Sequence, residues 1–188
     1  MATPTPLRPG DPAYPPSLLA RLGPDAPATL VALGHLATLS HRLTALFCSA
    51  QTPGDAILRA FDTAGRLRDE GVTVIGGFHS PIEKECLRIL LRGKQPIIVC
   101  PARALDGMRI PGDRRAAWEA GRVLFLSPFA ATPTRVTRES ALRRNEVVAA
   151  LADEVYFAHI APGGEAERLA RTARRWGIPL VLPAGEAT

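Results

Sequence analysis

The sequence predicts an α/β protein: a three-layer, Rossmann-like open parallel sheet of about six to seven strands with helices on both faces. Three observations predict it. From residue 43 onward, strand-like and helix-like segments alternate. The strand-like runs are continuously apolar, as strands covered on both faces are, rather than alternating apolar with polar. The segments that follow those runs carry Gly, Ser, Thr and Pro, the residues a chain needs to turn from strand into helix.

The elements follow in order. LTALFCSA (43–50) is the first buried strand, and QTPGD provides its turn. Ile57, Phe61, Ala64 and Leu67 then recur at helical spacing up to Gly71. VTVIGG (72–77) is the second strand. Ser80 before Pro81, with Glu83 three residues on, reads as an N-cap, a first-turn proline and a capping box. Ile82, Cys86, Ile89 and Leu90 form the stripe of that helix. PIIVCPA (96–102) is the third strand, a short helix spans about 113–120, and RVLFLSPF (122–129) is the fourth strand. ESALRRNEVVAALA (139–152) is a helix, DEVYFAHI (153–160) the fifth strand, and IPLVLP (178–183) the sixth. A helix with Leu169, Ala173 and Trp176 inward lies between the last two. Residues 1–42 are Pro-rich, with a small helix near 16–22 and a short strand near 29–33. They read as an N-terminal extension packed on the core, and 43–188 as the Rossmann-like nucleotide-phosphate-binding domain.

Composition narrows the function classes. A chain of 188 residues with 46% hydrophobic and 22% charged residues is ordinary for a globular domain. No apolar run approaches the ~18 residues of a membrane span, and the Pro-rich start lacks the apolar centre of a secretory signal. Cys48, Cys86 and Cys100 have no C-x-x-C spacing and sit in apolar patterns, which fits buried free thiols in a cytoplasmic protein. His35, His41, His79 and His159 form no metal-ligand pattern, so no metal is expected. The net charge of +5 suits a polyanionic partner, and equally a solvated Arg-rich surface.

Ligands of open parallel sheets collect outside the carboxyl ends of the strands. Those ends read CSAQTPGD, GGFHSP, CPARALDGM, LSPFAAT and HIAPGGE. Residues 48–54, 76–84, 101–109, 127–132 and 160–165 are therefore expected at one edge. Small residues let a ligand near the backbone, and helix N-termini offer free N–H groups to an anion. The phosphate-site candidates are Ser49, Gln51, Thr52 and Gly54 in the first loop. Gly76, Gly77, Phe78, His79, Ser80 and Lys84 belong to the second, and Gly163, Gly164 and Glu165 to the last. Ser80 and Glu83 serve plain helix capping just as well. Arg144 and Asn145 are expected in the first turns of their helix, where an anion would offset the dipole; a solvated basic face is the other reading. Fingerprints of dinucleotide sites, P-loops and α/β-hydrolases are absent from the sequence.

These stretches, in this order, resemble the DNA-processing protein A (DprA/Smf) family, within the wider Rossmann-like SLOG group. The resemblance runs from GDPAYPPSLLARLGPDAPATLVALGHL (10–36) through TPGD and the Gly pair after the second strand to RRNEVVAALAD. It implies an extended Rossmann fold, single-stranded DNA binding, homodimerisation, and delivery of a recombinase partner to DNA. It departs at three motifs. The family's Gly-Ser-Arg is Cys48-Ser49-Ala50 here, its Ser-Gly-Leu-Ala-Arg-Gly-Ile-Asp is Gly76 to Glu83, and its Arg-Asn-Arg is Arg144-Asn145-Glu146.

The leading expectation is a non-catalytic DprA-like protein that binds nucleotide phosphates, as single-stranded DNA in DNA processing or as a small bound nucleotide. No other cofactor and no membrane partner are expected. The first alternative is a nucleotide-hydrolysing enzyme of the lysine-decarboxylase-like phosphoribohydrolase type. Pro162-Gly163-Gly164 keeps part of that group's motif, and Glu165 or Glu167 would be its carboxylate. The second alternative is a non-catalytic interaction module.

Overall fold

The computed structural model describes residues 3–49, 52–130 and 136–181. The strands in chain order are β1 (Thr5–Leu7), β2 (Leu30–Leu33), β3 (Leu43–Phe47), β4 (Thr73–Gly76), β5 (Ile97–Val99), β6 (Val123–Ser127), β7 (Glu154–Phe157) and β8 (Leu180–Val181). The α-helices are α1 (Pro16–Leu22), α2 (Gly54–Asp69), α3 (Pro81–Leu91), α4 (Gly112–Glu119), α5 (Arg138–Leu151) and α6 (Glu165–Arg175). All eight strands form one sheet in the order β1-β2-β6-β5-β4-β3-β7-β8. From β6 to β8 every neighbouring pair is parallel, whereas β1 and β2 run antiparallel at one margin. The sheet is thus mixed and mostly parallel, one strand larger than the upper expectation. The added strand is β1, in the Pro-rich segment read as an N-terminal extension. Pro4 and Pro6 are compatible with an edge strand, which can leave backbone donors unpaired.

Strand alternation divides the core between the two faces. Ala45 and Phe47 of β3 join Ile75, Ile98, Leu124 and Val155 on the face covered by Leu18 of α1, Val147 and Val148 of α5, and Leu169 of α6. Leu46 and the following Cys48 join Val74, Val99 and Phe125 on the opposite face, covered by Ala60 and Leu67 of α2, Leu87 and Leu90 of α3, and Ala117 of α4. Continuous apolar runs were the right signature for these strands because both faces are dry.

The topology positions the site. The chain steps outward from β3 through β4 and β5 to β6, and α5 then returns it to β7, on the other side of β3. The strand order therefore reverses at β3, which places a crevice outside the carboxyl ends of β3 and β7.

The N-terminal segment docks through specific contacts. The Tyr14 hydroxyl donates to the Pro27 carbonyl at 2.7 Å. Arg21 Nη1 donates to the carbonyls of Ala150 and Ala152 at 2.9 and 2.6 Å, placing a cation at the C-terminus of α5 where the helix dipole favours it. Leu18 is fully buried between these polar contacts. Leu18→Ala is expected to lose about 2–5 kcal/mol of stability in urea denaturation. An unchanged midpoint would mean that α1 does not belong to the cooperative unit.

Candidate functional site

A cleft of about 310 Å³ opens at that crevice. Phe47, Cys48 and Ser49 line it from the end of β3, Phe157, His159 and Ala161 from β7 and beyond, and Gly164, Glu165, Ala166 and Leu169 from the start of α6. Asn145 of α5 and Glu83 of α3 complete the lining. The Phe47 and Phe157 rings stack with centroids 5.3 Å apart, giving an apolar floor.

Of the sequence-derived candidates, Ser49, Asn145, Gly164 and Glu165 come together in this cleft. Gln51 lies outside the described residues. Thr52 is buried, and its hydroxyl donates to the Ser49 carbonyl at 2.7 Å, a turn contact. Gly54 is exposed at the start of α2, and His79 and Lys84 are exposed at the start of α3. The Gly163 amide donates to Glu167 Oε2 at 2.7 Å. Another cavity lies between the N-terminal segment and the start of β3.

The β4–α3 turn is built around Glu83. The capping box expected from Ser80 and Glu83 is present, and the carboxylate reaches further. Oε2 accepts from the amides of His79 at 2.8 Å and Ser80 at 3.3 Å, while Oε1 accepts from the Cys48 amide at 3.2 Å, at the end of the neighbouring strand. The Ser80 hydroxyl donates back to the Cys48 carbonyl at 3.0 Å. The amides of two phosphate-site candidates, His79 and Ser80, are thus held by the chain's own carboxylate, which is only 8% exposed. Phe78 enables the turn. Its φ is 48°, in the left-handed region that bulky residues rarely adopt, and its ring is buried beside Gly76.

Arg144 corrects the expectation of a cation in the first helical turns at the pocket rim. It lies well inside α5, 5% exposed, and Nη1 donates to the Cys100 carbonyl at 2.9 Å. Its guanidinium packs against Gly77, leaving no room there for a Cβ. Gly77 is therefore a packing requirement for Arg144. Burial pushes the guanidinium pKa down from its ordinary value, and the nearby Glu83 charge opposes that shift.

Glu165 is the exposed counterpart of Glu83. Arg168 Nε donates to Oε2 and Arg138 Nη2 to Oε1, each at 2.9 Å, and these bonds hold its carboxyl below the usual range. All three cysteines are free and buried. A hydrogen bond with Cys86, then burial, raises the Cys48 thiol pKa, and burial pushes Cys100 up to about 12, so both are protonated thiols at neutral pH. Sequence reasoning placed Glu83 within the expected pocket segment 76–84 but gave it only a capping role, and left His159 one residue outside the segment 160–165. The signal for His159 was its place directly after the fifth strand; for Glu83 it was the capping motif, which reads the same whether or not the carboxylate reaches a second strand.

The profile of the DNA recombination-mediator protein A family matches residues 5–175. The chain belongs to this family. Two solved structures share the fold. DNA processing protein A (DprA) from Streptococcus pneumoniae superposes with a TM-score of 0.78 at 18% identity, over 97% of this chain and 64% of that one. The Helicobacter pylori DNA processing protein A, solved in a study of its single-stranded DNA binding mode, gives 0.74 at 19% identity, over 100% and 86% of the two chains. A molybdenum cofactor binding protein from Rippkaea orientalis is more distant, at 0.53 and 10% identity over 76% of each chain. The comparison with curated proteins found no match. This chain thus spans under two thirds of the length of the Streptococcus protein. In this member of the DNA recombination-mediator protein A family, the three motif stretches converge: Ser49, Glu83 and Asn145 line one cleft, and Gly77 and Arg144 pack on each other. Among the described residues no helix is long and apolar enough to cross a membrane.

Arg144→Ala is expected to destabilise the fold by about 1.5–3 kcal/mol, the scale of a charge-assisted hydrogen bond, because the Cys100 carbonyl loses its donor. Exposed Lys84→Ala should stay within about 0.5 kcal/mol. Equal chemical-denaturation midpoints for the two variants would show that Arg144 is not structural.

Proposed function

We propose that this protein binds single-stranded DNA along the carboxyl edge of its sheet, as a non-catalytic DNA-processing protein of its family. The observation that carries the reading is the convergence of the family's motif stretches on one cleft at the strand-order reversal. Cations support it. Lys84 follows β4, and Arg103 and Arg109 follow β5; all three are exposed and without an ion pair among the described residues. They supply positive charge in a sequence whose counterpart of the family's first-strand arginine is Ala50. A recombinase partner and a homodimer belong to the same reading, and analytical ultracentrifugation tests the dimer.

Catalysis is not part of it. The best-placed carboxylate for nucleotide hydrolysis, Glu165, is tied to two arginines that favour its ionised form, so it does not hold a proton for a departing base. Incubation with nucleoside monophosphates should release no free base, and turnover would return the enzyme reading to first place.

Fluorescence anisotropy with a labelled single-stranded oligonucleotide should show affinity falling with salt by about 0.7 log units per log unit for each phosphate neutralised. Replacing Lys84, Arg103 and Arg109 by Ala should flatten that slope. Absence of binding at low salt, with tight binding of a mononucleotide, would overturn the DNA reading in favour of a small-nucleotide protein.

A further inference from the structure

We infer that Cys48 and Cys86 are a redox pair: a hydroperoxide oxidises them to a disulfide that ties the end of β3 to α3, and a dithiol reductant releases it. The pairing does not depend on what the protein binds.

The fold brings the two residues together. Alternation along β3 turns Leu46 and Cys48 to the face covered by α2 and α3. Cys86 enters the same layer from α3 and is fully buried. Its thiol donates to the Ala60 carbonyl of α2 at 3.8 Å, and the two thiols share a hydrogen bond. The backbone agrees with this contact. The Cys48 amide donates to Glu83 Oε1 at 3.2 Å, and Glu83 lies one turn before Cys86 on the buried face of α3. Glu83 therefore already holds β3 and α3 at short range, and a disulfide would join the same two elements one turn further on. Cys100 provides the contrast, since it sits in the core layer on the other face of the sheet, away from both thiols.

A peroxide supplies the two electron vacancies that the bond requires. Cys48 lines the cleft and Cys86 does not, so a small oxidant arriving from that side meets Cys48 first. The Cys48 thiol gives up its proton and its sulfur attacks one peroxide oxygen. The O–O bond breaks, a sulfenic acid forms on Cys48, and the other oxygen leaves as water with that proton. The Cys86 sulfur then attacks the sulfenic sulfur, the S–O bond breaks, and the hydroxide leaves as a second water with the Cys86 proton. Together the two sulfurs lose two electrons, and the peroxide takes both.

The environment sets when this happens. In the closed site Cys48 is held as a thiol rather than a thiolate, which makes attack slow. Oxidation therefore follows transient opening of the β3–α3 contact, and the bond holds that contact shut once it is made. A reducing medium keeps the pair as two thiols, the resting state of redox-sensing cysteines. The bond closes a loop that carries α2 and β4, so it restricts the unfolded chain and stabilises the folded one.

The test uses the full chain. Reduced protein is held in excess hydrogen peroxide for hours, quenched, unfolded, alkylated and read by mass spectrometry. The expected product has a peptide of Cys48 linked to a peptide of Cys86, label on Cys100 alone, and label on all three cysteines after dithiothreitol. The oxidised protein should melt about 5–15 °C above the reduced one. Its Cys48, His79 and Ser80 amides should exchange more slowly with deuterium. Cys86→Ala should show no rise in melting temperature on the same exposure, and a rise of equal size there would overturn the inference. The labelling of the wild-type chain decides the matter even if that variant does not fold. Three alkylated cysteines after exposure, a sulfinic acid on Cys48 beside a free Cys86, or a bond to Cys100 or to a second chain would each overturn it. So would a Cys48–Cys86 bond that lowers the melting temperature, because that bond would belong to the unfolded chain.

Discussion

A carboxylate taken out of water is stable only where each oxygen finds a donor, and Glu83 meets that condition by drawing on two strands at once. Its oxygens take amides from His79 and Ser80, within its own turn, and from Cys48 at the end of β3. The ends of β3 and β4 are therefore clamped by side chain as well as by their ladder. Around that clamp the rest is arranged. Phe78 adopts a left-handed φ, which only a well-determined surrounding sustains. Ser80 closes the loop by donating to the Cys48 carbonyl. Arg144 brings positive charge close to Glu83, which offsets part of the desolvation of both ions.

That arrangement needs α5. The helix is the long return from β6 to β7, so it must cross the face of β3 and β4, and its buried run from Val147 to Leu151 lets it do so without solvent. One turn earlier the same helix delivers Arg144 onto Gly77 and Asn145 into the cleft. Adjacent residues of a helix point in different directions, so one serves the core and the next the site. The N-terminal segment completes the helix from outside, since Arg21 takes up its last carbonyls. Folding and site geometry are coupled through a single element.

The strands, the helices and their order were legible in the sequence because double-sided burial leaves continuous apolar runs and because caps such as Ser80-Pro81 and glycines such as Gly71 and Gly177 punctuate them. The carboxyl-edge placement followed from alternation alone, and so did the meeting of Ser49 with Gly164 and Glu165. β1 was not legible: a three-residue edge strand holding a proline has no periodicity to detect. Nor was the burial of Arg144. Arginine is usually exposed, and what buries this one is a glycine 67 positions away in sequence and in contact only after the sheet has formed. The reach of Glu83 to Cys48 is hidden in the same way, since a capping box looks identical with or without a second strand beside it.

Together these placements redistribute charge compared with what the motifs alone suggest. The arginine best matched to the family's motif is turned inward and spends its hydrogen bond on the Cys100 carbonyl. The anion at the strand-order reversal is a side chain, not a ligand. Positive charge free to meet a polyanion lies instead on Lys84 and on the segment between β5 and α4. A polymer approaching this edge meets exposed cations first and acceptor groups only inside the cleft. Phosphates are drawn to the former and repelled by the latter.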